Sequence, residues 1–196
     1  MLRALASLFG ALLCFATAPA APVPKHLMPK QEPRYFPTRL GAESRYYLDG
    51  KDQGGFDRVA AVEERDGETF VTVNDGQAVW VVSGKGLSIA RQGKDTYHPP
   101  LAILKLDQVG GAGWDVTSET KGSDYKHPHG KFAAHRPEEV KLPTGTYRAL
   151  RVEGTWEGGT KVTFWFAPEV GLVKRVVNHA NGGGFTQELR AFAPGK

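Results

Sequence analysis

The chain has 196 residues, of which 25 are Lys or Arg and 21 are Asp or Glu, so its formal net charge is +4 at pH 7. The basic residues are scattered rather than gathered into a stripe with interleaved aromatic side chains, which argues against a nucleic-acid partner. Cys14 is the one cysteine. It lies in a segment that we expect to be removed, which excludes disulfides, cysteine-ligated zinc and a thiol nucleophile from the mature chain.

Residues 1–20 have the layout of a secretory signal peptide. Arg3 supplies the short positive region, residues 4–15 form a largely apolar run, and small residues at 16–20 suit a cleavage site. The run is well short of the ~20 residues that cross a bilayer, so no stable membrane span is expected. Leu13 stands where a lipoprotein signal has a small residue, which disfavours lipidation of Cys14. We expect a bacterial protein exported to the periplasm, the cell surface or the medium.

Residues 21–34 are rich in Pro, Lys and Ala without apolar periodicity, which is typical of a flexible tether. Residues 35–193 are predicted to form a single β domain, because short alternating runs are separated by turn sequences. Those turn sequences are Asp49-Gly50, Asp66-Gly67, Asn74-Asp-Gly76, Gly84-Lys-Gly86, Gly110-Gly111, Gly158-Gly159 and Asn181-Gly-Gly-Gly184.

Two of the predicted strands show which of their faces meets the core. In residues 148–156 and 161–166 apolar side chains alternate with polar ones, as in antiparallel strands with one packed face. The apolar positions are Leu150, Val152, Trp156, Val162, Phe164 and Phe166. Only residues 100–106 are a candidate for a short helix, and an extended segment explains them equally well. The sequence therefore predicts an all-β, mainly antiparallel fold.

Large aromatic side chains are frequent for a sheet of this size. Ordinary core packing accounts for them. The alternative is an apolar face that binds a hydrophobic ligand. The residues that would form such a face are Trp80, Trp114, Trp156, Phe164 and Phe166.

His127 and His129 are two residues apart, so on an extended chain both imidazoles point the same way. Such a pair is half of a zinc site, for which His98, Asp124 or His135 could supply further ligands. The neighbouring Pro and Gly favour an exposed polar loop instead. A metal-assisted hydrolase is thus an alternative function.

Other candidate chemistry is weak. Two pairs of adjacent carboxylates occur, Glu63-Glu64 and Glu138-Glu139. On a strand the two side chains of such a pair point to opposite faces, so neither pair suits glycoside hydrolysis. Residues 49–57 superficially resemble a calcium loop, but its alternate oxygen ligands are not all in place, because Lys51 and Gln53 stand at its third and fifth positions; we predict a hairpin turn. The sequence has no nucleophile elbow, phosphate loop or H-E-x-x-H motif. We expect neither a cofactor nor enzymatic activity.

Four segments occur in a recognisable order. They are Tyr-Phe-Pro-Thr-Arg-Leu-Gly at 35–41, Pro-Pro-Leu-x-x-Leu-x-Leu at 99–106, Gly-x-x-Trp at 111–114, and a closing cassette of Leu-Pro-Thr-Gly-Thr-Tyr at 142–147 with Trp-Phe-Ala-Pro-Glu-Val-Gly-Leu-Val-Lys at 165–174. In these segments the chain resembles exported bacterial proteins of the TapB-like kind, relatives of uncharacterised periplasmic families with a fold similar to the LolA/LolB lipoprotein carriers.

The resemblance implies a long antiparallel sheet curled into a LolA-like half-barrel with a concave apolar face and at most one or two short helices. It brings no established catalytic residues. The chain departs from the family at residues 45–47, Arg-Tyr-Tyr, where a Trp is usual, and at Glu169, where Gly is frequent.

These features together predict an exported, non-enzymatic β domain that binds an apolar ligand, a lipid or an envelope-protein segment. A hydrolase with a site near His127 and His129, or a cell-surface interaction module, is the alternative.

Overall fold

The computed structural model describes residues 33–122 and 128–196. Antiparallel strands make up nearly all of this part of the chain. They are β1 (Glu43–Leu48), β2 (Lys51–Arg65), β3 (Glu68–Val73), β4 (Ala78–Ser83), β5 (Gly86–Gln92), β6 (Asp95–Lys105), β7 (Trp114–Thr117), β8 (Glu119–Lys121), β9 (His129–Ala134), β10 (Glu138–Leu142), β11 (Gly145–Trp156), β12 (Lys161–Ala167), β13 (Gly171–Asn178) and β14 (Gly184–Ala193). Two short 3₁₀ turns, Asn74–Gly76 and Leu106–Gln108, are its helical content. None of the helices in these residues has the length and apolarity needed to cross a membrane.

Most neighbouring strands in the sheet are also consecutive in the chain. The spatial order is β7-β9-β11-β12-β13-β14-β1-β2-β3-β4-β5-β6-β8, and β10 pairs with β11 outside this order. The first and last strands meet in the middle, where Ser44 of β1 lies opposite Phe192 of β14. The predicted all-β, half-barrel fold is confirmed: the sheet curls until it is nearly closed.

β7 and β8 are consecutive in the chain but lie at opposite ends of the sheet, so the short connection between them brings the two ends together. β7 pairs with β9 at one end, and β8 pairs with β6 at the other. Ser118 lies between β7 and β8, is buried, and donates a hydrogen bond from its Oγ to the carbonyl oxygen of Pro99 over 2.7 Å. Trp114 donates a second bond from its Nε1 to the carbonyl oxygen of Ala102 over 2.9 Å. Both bonds tie the β7 end to β6.

The predicted turn sequences lie at strand boundaries. Asp49 and Gly50 form the two-residue turn between β1 and β2, with φ of 50° and 74°. Positive φ at both positions is what a type I′ hairpin turn requires, and an Asp-Gly pair adopts it readily. Residues 49–57 are therefore a hairpin, as predicted. Residues 100–105 belong to β6, so the extended alternative holds for the helix candidate.

Two apolar clusters occupy opposite faces of the sheet. The main core contains Leu150, Val152 and Phe166, which are 2%, 0% and 0% exposed, and confirms the predicted inward face of β11 and β12. The second cluster contains Ala149 and Ala167, each one residue away on the same strands, together with residues of β10. Adjacent residues on a strand point to opposite faces, so β11 and β12 are covered on both sides.

The segment before β1 packs on the turn between β12 and β13. Glu169 in this turn has φ of 61°, a conformation that Gly adopts more easily. Its Oε1 accepts a hydrogen bond from the backbone N–H of Arg34 over 3.2 Å. This contact holds the N-terminal segment in place, and Phe36 of that segment is buried in the main core.

Candidate ligand-binding cavity

A cavity of about 510 Å³ lies on the face of the sheet that carries the main core. Its apolar lining comes mostly from the N-terminal segment and from β2 to β5. The residues are Phe36, Val59, Val73, Trp80, Ile89 and Leu172. Its polar lining comes mostly from β13, β14, β1 and β2. The residues are Ser44, Tyr46, Asp57, Asn74, Arg175 and Gln187. Most of the polar side chains thus lie towards β13, β14 and β1, although Gln77, just before β4, and Gln92, at the end of β5, also line the cavity.

Strand pairing brings the polar lining together from distant parts of the chain. Ser44 of β1 lies opposite Asp57 of β2, and Arg175 of β13 lies opposite Gln187 of β14. Tyr46, also on β1, lines the same cavity as Ser44. Each of these pairs joins consecutive strands, and the pairing of β14 with β1 brings the two pairs together from opposite ends of the chain.

A bulge in β13 turns Arg175 towards the cavity. Trp165 pairs with Lys174 and Phe166 pairs with Leu172, so Val173 is the extra residue. Without the bulge, Leu172 and Arg175 would point to opposite faces, because they are three residues apart. With it, both side chains line the same cavity.

Part of the polar lining is held by hydrogen bonds. Asn74 donates from its Nδ2 to Asp57 Oδ1 over 2.8 Å, and its own Oδ1 accepts from the backbone N–H of Arg58 over 2.8 Å. Tyr46 donates from its hydroxyl to the carbonyl oxygen of Leu172 over 3.2 Å. These bonds fix the positions of the Asp57 carboxyl and the Tyr46 ring.

Arg175 and Gln187 are different, because each has an unpartnered polar atom. Arg175 Nε and Gln187 Oε1 are buried, and neither has a hydrogen-bond partner among the described residues. The Arg175 guanidinium lies 5.0 Å from the ring centre of Phe185. No carboxylate of the described residues comes within the ion-pair distance of 4.0 Å of it. A buried donor and a buried acceptor, on neighbouring strands, therefore both lack a partner.

Burial alters the ionisation of three groups in the cavity. It raises the pKa of Tyr46, an effect that the charge of Asp57 reinforces and that a hydrogen bond with Ser44 and the charge of Arg175 oppose. It raises the pKa of Asp57, against the Asn74 hydrogen bond and Arg175, although residue 57 as a whole remains exposed. It lowers the pKa of Arg175, which Tyr46 and Asp57 counteract. The carboxyl and the guanidinium thus stabilise each other's charge across the cavity without touching.

Comparison with solved structures bears on the fold. A protein of Bacteroides fragilis, described as exported and as having a YmcC-like fold, superposes with a TM-score of 0.52 at 15% identity, covering 82% of this chain and 99% of its own. The chain has a YmcC-like fold.

Two further solved structures superpose less well on this chain. A protein of Parabacteroides distasonis described as a lipoprotein has a TM-score of 0.49 at 13% identity, covering 84% of this chain and 100% of its own. The hypothetical lipoprotein YmcC of Escherichia coli has a TM-score of 0.38 at 12% identity, covering 78% and 85%. No protein-family model matches the chain, and no curated protein matches it. The TapB-like and LolA-like resemblances are not confirmed by these comparisons.

Of the five aromatic residues predicted to form an apolar face, Trp80 lines the cavity of about 510 Å³ described above. It stacks on Phe36 with ring centres 4.8 Å apart. Phe164 and Phe166 stack on each other at 5.6 Å and belong to the packed core, where they are 9% and 0% exposed.

Trp114 and Trp156 lie elsewhere, and both contact Phe132, with ring centres 6.1 and 5.0 Å from its own. Trp156 lines a separate open cleft together with His129. The structure therefore does not gather the five side chains at one site, and their role in binding a ligand stays a prediction.

The predicted zinc pair is only partly placed by the structure. His127 and Asp124 lie outside the described residues, as do residues 1–32 with the predicted signal peptide and most of the tether. His129 is exposed at the start of β9, and His135 Nε2 lies 3.0 Å from Glu153 Oε2. Within residues 33–122 and 128–196, no three His, Cys, Asp or Glu side chains are close enough together to hold a metal ion. The metal-assisted alternative stays a prediction.

The polar lining of the cavity was missed by sequence reasoning. Asp57 stands in a stretch that suggests a turn, and Arg175 follows Lys174 as one of two successive basic residues. The bulge at Val173, which depends on pairing with β12, had no counterpart in the sequence pattern.

Proposed function

We propose that this chain is an exported, non-enzymatic binding domain whose cavity holds a small apolar molecule at the cell envelope. The observation that carries the proposal is the cavity of about 510 Å³ beside the core of the half-barrel. Sites for small ligands commonly measure ~300–1,000 Å³ and are lined mainly by apolar and aromatic side chains with a few polar groups. This cavity matches that description in size, and aromatic and aliphatic side chains such as Phe36, Trp80 and Ile89 supply about half of its lining.

The apolar lining offers surface that a ligand would remove from water. Trp80, Ile89 and Leu172 are each only partly buried, although they pack against the main core. Phe36 supports the Trp80 ring from one side, which holds the indole in a defined orientation. Burying such surface is favourable by roughly 25 cal/mol for every Å² removed from water. An apolar ligand would thus be retained without a covalent bond.

Export is part of the proposal and has two supports. Residues 1–20 have the layout of a secretory signal peptide. The Bacteroides fragilis protein with the same fold is described as exported. Cell fractionation with mass spectrometry of the mature N-terminus tests this point, and a cytoplasmic chain that retains residues 1–20 would contradict it.

The non-enzymatic part of the proposal comes from how the cavity's polar groups are engaged. The Asp57 carboxyl accepts a hydrogen bond from Asn74, and the Tyr46 hydroxyl donates one to a backbone carbonyl oxygen. A general base needs to lie within hydrogen-bond reach of the proton that it removes. These two groups are bound to partners in the protein, so they are suited to shaping a site rather than to transferring protons.

Binding is tested with the neutral apolar dye phenylnaphthylamine, whose fluorescence rises in apolar surroundings. We expect the dye to bind the wild type and to lose most of its affinity in Ala78→Phe, because Ala78 lines the cavity and a phenyl group there would fill it. Ala191→Phe is the matched control, since Ala191 is exposed on β14, away from the cavity. Thermal melting verifies that both variants fold. Equal dye binding by the two variants, or none by the wild type, would contradict the proposal.

A further inference from the structure

We infer that the cavity selects a single-chain amphiphile with a neutral, hydroxylated head group, of the monoacylglycerol type. Arg175 donates a hydrogen bond to this head group, and Gln187 accepts one from it. This inference rests on the proposed binding function and adds the chemical class of the ligand. It comes from three features of the cavity: two unpartnered polar atoms, a balance of charge, and the placement of most polar side chains towards β13, β14 and β1.

The unpartnered atoms require a head group that both accepts and donates. Arg175 Nε carries a hydrogen and needs an acceptor, whereas Gln187 Oε1 is an acceptor and needs a donor. Six buried side-chain polar atoms of the described residues lack a partner. Those of Arg175 and Gln187 belong to residues that line this cavity on paired strands, so we place their partner within it. A hydroxyl group meets both needs, because its oxygen accepts while its hydrogen is donated.

The charges of the cavity favour a neutral head group. Arg175 contributes one positive charge and Asp57 one negative charge, and both residues line the cavity. A carboxylate, phosphate or ammonium on the ligand would add a charge that no described group of the cavity balances. Burying an unbalanced charge is costly, whereas burying a hydroxyl group that is hydrogen-bonded is not.

The remaining polar side chains suit a second hydroxyl. Ser44 of β1 and Asn74, which lies beside Asp57, line the same part of the cavity. Hydroxyl and amide groups both donate and accept, so they can bind a vicinal hydroxyl in either orientation. The head group therefore fits next to β13, β14 and β1.

The apolar lining would receive the hydrocarbon chain. Val73, Trp80 and Ile89 come from the successive strands β3, β4 and β5, on the other side of the cavity from β13 and β14 in the order of the sheet. The volume of about 510 Å³ lies in the lower half of the range for ligand sites. One chain fits such a space better than the two chains of a membrane phospholipid.

The test is displacement of bound phenylnaphthylamine by compounds that share one alkyl chain and differ in the head group, each kept below its micelle-forming concentration. The competitors are monolaurin, dodecyl glucoside, laurate, dodecylammonium and dodecane. We expect a hydroxylated competitor to displace the dye at a concentration about tenfold lower than laurate, dodecylammonium or dodecane. If monolaurin displaces the dye at a lower concentration than dodecyl glucoside does, the preferred head group is glycerol; the reverse order identifies a sugar.

Variants connect the selectivity to the proposed contacts. Arg175→Gln and Gln187→Leu should each reduce the advantage of the hydroxylated competitor to about threefold or less while dodecane displaces the dye as before. Lys174→Gln is the matched control, because Lys174 is the adjacent residue and instead pairs with Glu188 at 2.9 Å. It should leave the advantage unchanged.

The outcomes separate this inference from the proposed function. Tightest binding of laurate or dodecylammonium, equal binding of all five, or an advantage that survives in both cavity variants would overturn the head-group inference and leave apolar binding intact. Failure of the dye and of every competitor to bind would overturn both.

Discussion

Trp114 Nε1 donates a hydrogen bond to the carbonyl oxygen of Ala102 over 2.9 Å, and this bond joins strands near the two ends of one sheet. Trp114 begins β7, the last strand at one end, and Ala102 lies on β6, the second strand from the other end. The indole is 9% exposed and also stacks on Phe132 at 6.1 Å. The closure of the half-barrel therefore depends on a side chain as well as on backbone pairing.

Removing the indole donor should weaken this closure. We expect Trp114→Phe to lower the free energy of unfolding by about 1–3 kcal/mol, because part of the ring is kept while the part-buried carbonyl of Ala102 loses a donor. Trp165→Phe is the control: its Nε1 donates to Glu138 over 2.7 Å, but that carboxylate is accessible to water. Urea denaturation measures both, and a loss for Trp114→Phe no larger than that of the control would contradict the prediction.

Gly154 leaves room for a ring in the core. A Cβ at this position would lie 2.4 Å from Cε1 of Phe132, whose ring is 2% exposed and cannot move aside freely. We expect Gly154→Ala to destabilise the fold by about 1–3 kcal/mol through overpacking. Gly55→Ala on β2 is the control, because an added Cβ there meets nothing within 4 Å. Chemical denaturation should show no loss for Gly55→Ala, and equal values for the two variants would rule out the steric explanation.

Arg175 should contribute little to the stability of the ligand-free protein. Its buried Nε has no hydrogen-bond partner among the described residues, and a buried charge without a close counterion costs desolvation free energy. We expect Arg175→Gln to change the free energy of unfolding by less than about 1 kcal/mol in either direction. Thermal and urea unfolding provide the measurement. A loss of about 3–5 kcal/mol, typical when one partner of a buried ion pair is removed, would instead make Arg175 a structural residue.

Asp57 should make stability fall as the pH rises. Burial raises its pKa in the folded state above the ordinary value of 3.8. The folded state therefore binds the proton more tightly than the unfolded state does, and the resulting stabilisation is complete below pH 3.8 and is lost as the pH rises through the folded-state pKa. Asp57→Asn cannot ionise, and its amide oxygen can still accept from Asn74.

The measurement is the difference in unfolding free energy between wild type and Asp57→Asn at a series of pH values. We expect the variant to gain on the wild type as the pH increases above 3.8 and the difference to become constant once the folded-state carboxyl has ionised. Glu139→Gln is an exposed control on β10 and should show no such trend. A difference that is independent of pH, or one of opposite slope, would contradict the prediction.

Local patterns in the sequence were sufficient for the strands and their turns. The alternation at Leu150, Val152 and Phe166 predicts their burial because successive side chains of a strand point to opposite faces whatever the strand pairs with. The Asp49-Gly50 turn is predicted because two residues with positive φ suffice to reverse a hairpin. In both cases the physical cause lies within a few residues of chain.

The candidate site depended on contacts that no local pattern contains. Asp57 and Arg175 line one cavity because β14 pairs with β1, which joins the two ends of the chain in the middle of the sheet. The face of Arg175 is set by the bulge at Val173, and a single extra residue reverses the direction of every side chain that follows.

The aromatic residues show the same division. Their number and their positions on strands follow from the sequence, which by itself determined an all-β domain with an apolar interior. Which of them fill that interior and which face a cavity is a matter of packing between strands distant in sequence: Phe166 is fully buried, whereas Trp80 lines the cavity. The sequence alone thus determined the class of fold and the core-facing positions of β11 and β12, because periodicity is local. Only the tertiary structure decided where the polar side chains meet, because register and curvature arise from the whole sheet.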